Sequence, residues 1–324
     1  MSRSRIPPPV TRVMDVAQAW LPRRMAAVED RLRELAAGHG EPLRGEAAAT
    51  LEAGGKRLRP LLVLLCAGGD AGRDAERAAV AIELVHMATL VHDDVLDQAP
   101  LRRGRPTVVA RAGRSVATSV GDLLFARAFA ELAAAADDGV RRVALLADAA
   151  TALARGELAQ RRDAFDVTIT AERYLERCTL KTARLFECAC QIGNAERDPE
   201  LAAFGDQVGL AFQLLDDVLD VSGPPERTGK ARGTDLLDGT VTLPFILARE
   251  RDPGLATFDL RGLDEAGAAA LCDRIAATGA LDEVRADATD RVESAKHALA
   301  GSALDSDRRE LLALVADGVV ERYA

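Results

Sequence analysis

Leu84-Val-His-Met-Ala-Thr-Leu-Val-His-Asp-Asp-Val-Leu-Asp97 and Val208-Gly-Leu-Ala-Phe-Gln-Leu-Leu-Asp-Asp-Val-Leu-Asp-Val221 decide how this chain is read. Both are apolar stretches with helical spacing, and both run into the pentapeptide DDVLD, at Asp93–Asp97 and Asp216–Asp220. On a helix the first and last carboxylates of each copy share a face, one turn apart. Negative charge late in a helix opposes the negative end of the helix dipole. Two such clusters facing each other would repel strongly, and divalent cations are the simplest relief. Basic loops follow each cluster, so the pattern predicts metal ions and, through them, phosphate.

Working outward, nearly every segment reads as helix. Ala, Leu, Arg and Glu dominate, apolar residues recur every three or four positions, and no run of alternating β-branched residues stands out. The spacing predicts helices over 11–37, 44–53, 60–68, 74–98, 115–136, 139–163, 171–193, 198–221, 239–250, 264–278, 280–300 and 306–322. Turn chemistry lies between them at 38–42, 68–74 and 222–233. No linker or repeat divides the chain, so a single all-α domain over 1–324 is expected, with residues 1–10, rich in proline, as a disordered lead-in.

Composition removes several classes. The 324 residues are 48% hydrophobic and 29% charged, enough for a globular core. A net charge of −9 argues against a nucleic-acid binder. No uncharged apolar run reaches 18 residues and the N-terminus lacks a signal-peptide core, and the odd count of five cysteines makes a cytoplasmic location the expectation. Cys66, Cys178, Cys188, Cys190 and Cys272 show no zinc spacing and read as reduced, packed thiols. Of 42 basic residues only Lys56, Lys181, Lys230 and Lys296 are lysines. Lysines kept against such an arginine background mark places where a compact ammonium is wanted.

Three of these lysines fall in segments suited to anion chemistry. In GGKRLRP (54–60) two glycines free the backbone ahead of a helix start, and Lys56 and Arg59 supply charge. A basic surface turn would look the same. His86 lies two turns before Asp93 on one face, with Thr89 between them; an ordinary core histidine is the plain alternative. Arg102 and Arg103 follow the first acidic cluster. Lys181-Thr182 interrupts an apolar helix, where a lysine needs a partner or must reach the surface. Gln213 precedes Asp216 by three residues and shares its face. Lys230 and Asp235 lie in the glycine-rich loop after the second cluster.

Together GGKRLRP, HDDVLD with LRRGRPT, KTA, FQLLDDVLD and GKARGTD resemble the trans-isoprenyl diphosphate (polyprenyl) synthases, from about Gly54 to Pro244. The resemblance implies an all-α bundle of the isoprenoid synthase type around a deep central cavity, in a homodimer or sometimes a heterodimer. It implies three Mg²⁺ per active site, with Asp93, Asp94, Asp97, Asp216 and Asp220 as ligands, Asp217 in support and Asp235 acting through water. Arg102, Lys181 and Lys230 would grip an allylic diphosphate, farnesyl or geranylgeranyl. Lys56, Arg59, His86 and Arg103 would bind isopentenyl diphosphate, and Thr182 and Gln213 would lie near the reacting carbons. Diphosphate departs from the allylic substrate, isopentenyl diphosphate attacks the cation, and a proton is lost. Many relatives carry lysine where this chain has Thr240, so that contact is not carried over.

In such enzymes the residues before the first motif line the tunnel for the growing chain. Here they are Val85, Ala88 and Thr89, with Val85 about 12 Å below Asp93 and no aromatic on that face. A product of about C30–C50 is therefore expected, with Phe125 and Phe129 as candidates to narrow the tunnel. A short-chain geranylgeranyl or farnesyl diphosphate synthase is the alternative within the family. A class I terpene cyclase would not need Lys56, Arg59 and His86, and this chain has only 3% aromatics for a cyclase cavity. A regulatory subunit of a heteromeric synthase predicts eroded aspartate motifs, whereas both are intact.

Overall fold

The computed structural model describes residues 8–38, 40, 43–52, 54–102, 104–136, 138–195, 197–223 and 232–321. The fold is all-α, as the periodicity predicts, with one two-stranded ribbon among the described residues. The chain groups into two compact units. The first comprises Met1–Ala150, Cys188–Ala202 and Gly301–Val315, and the second Thr151–Glu187, Ala203–Ala300 and Ala316–Ala324. No described helix is long and apolar enough to cross a membrane.

In the first unit, α1 (Pro8–Val16) and α2 (Leu21–Ala37) replace the single helix expected over 11–37. The chain turns at 17–20, and Pro22 fits only in the first turn of a new helix, where its missing N–H costs nothing. Residues 1–7 of the expected lead-in lie outside the described residues. Helix α2 buries Leu21, Val28, Leu32 and Leu35, one stripe at helical spacing, and packs on α3 (Leu43–Glu52), α4 (Leu58–Ala67) and α5 (Arg73–Leu96). Helix α5 is apolar almost all round through its middle, Ala78–Ile82 and Leu84–Val85, so it is a core helix. It packs most extensively along α6 (Val108–Ala133).

Helix α6 starts seven residues earlier than expected. Thr107 caps it, its hydroxyl accepting from Ala110 N at 3.2 Å, and the helix continues past a break at Gly113, whose φ of 81° suits glycine. Between α5 and α6 lies the unforeseen ribbon, β1 (Leu101–Arg102) paired antiparallel with β2 (Arg105–Pro106). Four residues are too few to leave an alternation in the sequence.

The second unit takes the C-terminal part of α7 (Gly139–Arg162), then α8 (Ala171–Cys178), which passes through a π-helical turn, Thr179–Ala183, into α9 (Arg184–Gly193). Two neighbours press on that turn. A Cβ at Gly156 of α7 would lie 2.7 Å from Lys181 N. One at Gly209 of α10 (Pro199–Ser222) would lie 2.6 Å from Ala183 Cα. Only glycine permits such backbone approach. In this unit Tyr174, Phe186, Phe204 and Phe245 are fully buried. The chain finishes with α11 (Leu243–Arg251), α12 (Glu265–Ala277), α13 (Ala280–Gly301) and α14 (Ser306–Glu321). All five cysteines are buried and none forms a disulfide.

Candidate active site

The first aspartate motif ends α5. Asp93 is half-buried and Asp97, the helix C-cap, is exposed, while Asp94 between them is only 4% exposed. A buried carboxylate needs a strong partner, and Arg102 on β1 donates its Nε to Asp94 Oδ1 at 2.8 Å. The ribbon exists to return Arg102 to the helix end. Its turn contains Gly104 at φ 73°, and Thr107 anchors it by donating to Ala99 O at 2.6 Å. Arg103 lies outside the described residues.

Beside this motif is a cleft of about 130 Å³ within the first unit, whose lining includes Gly54, Arg57, Glu83, His86, Asp94 and Arg102. The structure thus brings together the glycine turn, His86, Asp94 and Arg102, each of which the sequence reading singled out. Lys56 and Arg59 are not among its lining residues. Arg57 between them is the residue that reading missed. It sits at φ 50° ahead of α4 and donates to Glu29 Oε1 at 2.5 Å and Glu83 Oε1 at 2.7 Å. It clamps the turn to α2 and α5. Arg59 is half-buried with its Nε sealed from solvent, and burial lowers its pKa to about 10 against the pull of Glu83. Val85 and Ala88 are at 0% exposure, and Thr89 donates its hydroxyl to His86 O at 2.8 Å. Phe125, expected as a tunnel residue, stacks on His92 with ring centroids 5.7 Å apart.

The second motif repeats the pattern on α10. Asp216 is exposed and Asp220 half-buried, while Asp217 is 2% exposed. Here neutral donors hold the buried carboxylate. Tyr174 Oη donates to Asp217 Oδ2 at 2.5 Å and Gln213 Nε2 to Asp217 Oδ1 at 2.7 Å. Burial, with Asp235 and Asp216 nearby, pushes Asp217 up to about 8. Thr182 in turn donates to Gln213 Oε1 at 2.7 Å. The following loop folds back on the motif: Gly233 N bonds Asp220 O at 2.9 Å and Asp235 N bonds Asp220 Oδ2 at 3.2 Å. Lys230 lies outside the described residues. Lys181 is held by a residue not foreseen, Glu157 of α7, at 2.5 Å. Burial alone would raise the Glu157 carboxyl, but Lys181 and Arg161 bring it below the ordinary range.

Among the described residues no three His, Cys, Asp or Glu side chains converge into a closed metal site. Each motif instead offers oxygen donors at a solvent-reachable helix face. That fits a hard ion which keeps water or substrate oxygens in its shell.

Residues 41–260 match the family model described as polyprenyl synthetase. Heptaprenyl diphosphate synthase component 2 of Geobacillus stearothermophilus is 39% identical over 301 residues, covering 90% of this chain and 93% of that one. All-trans-nonaprenyl-diphosphate synthase (geranyl-diphosphate specific) of Rhodobacter capsulatus is 38% identical over 77% of this chain and 80% of its own. Among solved structures, polyprenyl synthase from Caulobacter crescentus, complexed with calcium and isoprenyl diphosphate, superposes with a TM-score of 0.89 at 35% identity. It covers 97% of this chain and 98% of its own.

Proposed function

This chain belongs to the polyprenyl synthetase family and is a prenyltransferase, and we propose that it extends farnesyl or geranylgeranyl diphosphate with isopentenyl diphosphate to a trans-polyprenyl diphosphate of about C30–C50. The observation that carries this reading is the repeated carboxylate arrangement. In both units the outer aspartates reach solvent while the middle one is buried and held by a residue of its own unit.

Prenyl transfer in this family depends on Mg²⁺. In our reading Asp93 and Asp97 hold the ion at the first motif, and Asp216 and Asp220 at the second, up to three ions in all. When bound, the metal would neutralise negative charge on the departing diphosphate. Asp94 and Asp217 hold the helix ends in shape, and Asp235 fixes Asp220 from the returning loop. Arg102 holds Asp94 through Nε, and in our reading Arg102, Lys181 and Lys230 grip the allylic diphosphate. Lys181 exchanges Glu157 for the diphosphate as the substrate enters. Lys56, Arg59, His86 and Arg103 take isopentenyl diphosphate. The Thr182–Gln213 pair orients the reacting carbons. Exclusion of water protects the allylic cation until the double bond attacks it.

Product length rests on Val85, Ala88 and Thr89, a wall without aromatics, and on the heptaprenyl and nonaprenyl products in the relatives' names. We take the active form as a homodimer acting within the cytoplasm. The name "component 2" favours a second reading, in which this chain requires a different partner subunit. Incubation of the purified protein with Mg²⁺, isopentenyl diphosphate and farnesyl diphosphate, with products read by mass, tests the proposal. A ladder ending at one long prenyl diphosphate is expected. Consumption of farnesyl diphosphate alone, giving a hydrocarbon or alcohol, would replace it with a cyclase.

A further inference from the structure

We propose that the cleft between the C-terminal half of α7 and helix α8 binds a phosphate or diphosphate group. None of its lining residues belongs to either aspartate motif, and the inference does not depend on the activity proposed above. The cleft has a volume of about 410 Å³ and is lined by Arg155, Arg162, Asp163, Arg173, Glu176 and Arg177, with Leu158, Ala159 and Leu180 at its apolar edge.

Charge is the first argument. Four guanidinium groups share this cleft with two carboxylates. Asp163 is buried and engaged by Arg173 in a two-pronged pair, Nη2 to Oδ1 at 2.7 Å and Nε to Oδ2 at 2.9 Å, with Arg162 Nε 3.9 Å away. Arg155, Arg162 and Arg177 are then left with Glu176, and the cleft keeps an excess of positive charge.

Arg177 is built deep into this cleft. It is only 3% exposed. Nη2 donates to Val241 O at 2.6 Å, and the guanidinium carbon lies 5.5 Å from the centre of the Tyr174 ring. Nη1 is sealed from bulk solvent and has no hydrogen-bond partner among the described residues. No described carboxylate pairs with Arg177. A buried cation without a counter-charge is costly to fold around, and a phosphate in the cleft that Arg177 lines would supply that charge. The planar fork of arginine matches the oxygens of a phosphate, and the exposed Arg155 and Arg162 could close on the same group from the rim.

Helix-end electrostatics explain part of this cluster without a ligand. Arg162 lies in the last turn of α7, where a cation suits the helix dipole. Arg155 is two turns earlier, beyond the reach of that effect, and Arg177 lies in the middle of a continuous helical run. The volume exceeds that of a bare ion, so the terminal phosphate of a small organic ester or of a lipid headgroup would fit as well as inorganic diphosphate.

The test is calorimetric titration of the full chain with inorganic phosphate and diphosphate in chelator, so that metal-dependent sites stay silent. Sedimentation with phosphatidylglycerol and with phosphatidylcholine vesicles runs in parallel. The double variant Arg155→Gln/Arg162→Gln changes only exposed side chains and should fold normally. Arg177→Met removes the buried donor. We expect a metal-independent site whose Kd rises at least about tenfold in the double variant. Turnover without added phosphate should be unchanged in that variant. Loss of phosphatidylglycerol binding with no effect on free diphosphate would assign the site to a lipid headgroup. Equal titrations and equal sedimentation for the wild type and the double variant would overturn the proposal. Should Arg177→Met fail to fold, the double variant still decides.

Discussion

The two aspartate motifs share a sequence and differ in how their buried carboxylate is kept. In the first, Asp94 is held by the cation Arg102, carried on a four-residue ribbon eight positions downstream. In the second, Asp217 is held by two neutral donors, Tyr174 and Gln213, and its pKa is pushed up to about 8, chiefly by burial. The inner carboxylate of the first motif is therefore held by a cation and that of the second by neutral donors. Identical pentapeptides thus keep their buried carboxylate by different chemistry, and that difference is not legible from composition. The outer carboxylates, by contrast, behave alike in both copies: they reach solvent at a helix face one turn apart.

The largest effect that would break this comparison concerns the outer carboxylates. Asp93→Ala and Asp216→Ala should each lower kcat by at least about 10³-fold, the scale of removing charge stabilisation from a departing group. Circular dichroism should show the fold intact. Normal turnover in either folded variant would end the metal assignment.

A smaller effect separates the two ways of holding the inner carboxylate. Tyr174→Phe leaves buried Asp217 short of one donor and should cost about 1–3 kcal/mol in chemical denaturation. A loss within error would show that Gln213 suffices.

The proton at Asp217 also has a pH signature. Its folded pKa lies above the unfolded carboxylate value, so the native state binds a proton that the unfolded state releases. That stabilisation is complete below about pH 4 and is lost as pH rises through about 8. Metal-free protein should thus lose stability over this window, and Asp217→Asn should flatten the slope. An equal slope in that variant would place the titration elsewhere.

A further effect, read in product length, lies below the first motif. Ala88 is fully buried, so Ala88→Tyr should cost about 1–3 kcal/mol from overpacking and should shorten the product. An unchanged product ladder would remove Ala88 from the tunnel wall.

Much of this was legible in the sequence because helix periodicity is local. The all-α fold and the two acidic helix ends follow from spacing and composition, whereas the Thr182–Gln213 hydrogen bond spans 31 residues and does not. The burial of Asp94 and Asp217 also left a trace. Each lies three residues after an apolar core position, Val91 and Leu214, and just before another, Val95 and Val218. The partners left none. Tyr174 is 43 residues from Asp217, Glu157 is 24 from Lys181, and Arg57 reaches Glu29 across 28 residues. Such pairs depend on tertiary packing. The π turn at Lys181 is likewise set by Gly156 and Gly209 on neighbouring helices.

The most direct test sets Asp216→Asn against Asp217→Asn in the same steady-state assay at pH 7 with Mg²⁺, isopentenyl diphosphate and farnesyl diphosphate. Asparagine mimics a protonated carboxyl but cannot replace an ionised metal ligand. The account predicts a loss of at least about 10³-fold for Asp216→Asn and less than about tenfold for Asp217→Asn. Equal losses, or the reverse order, would contradict the division between outer ligands and inner supports.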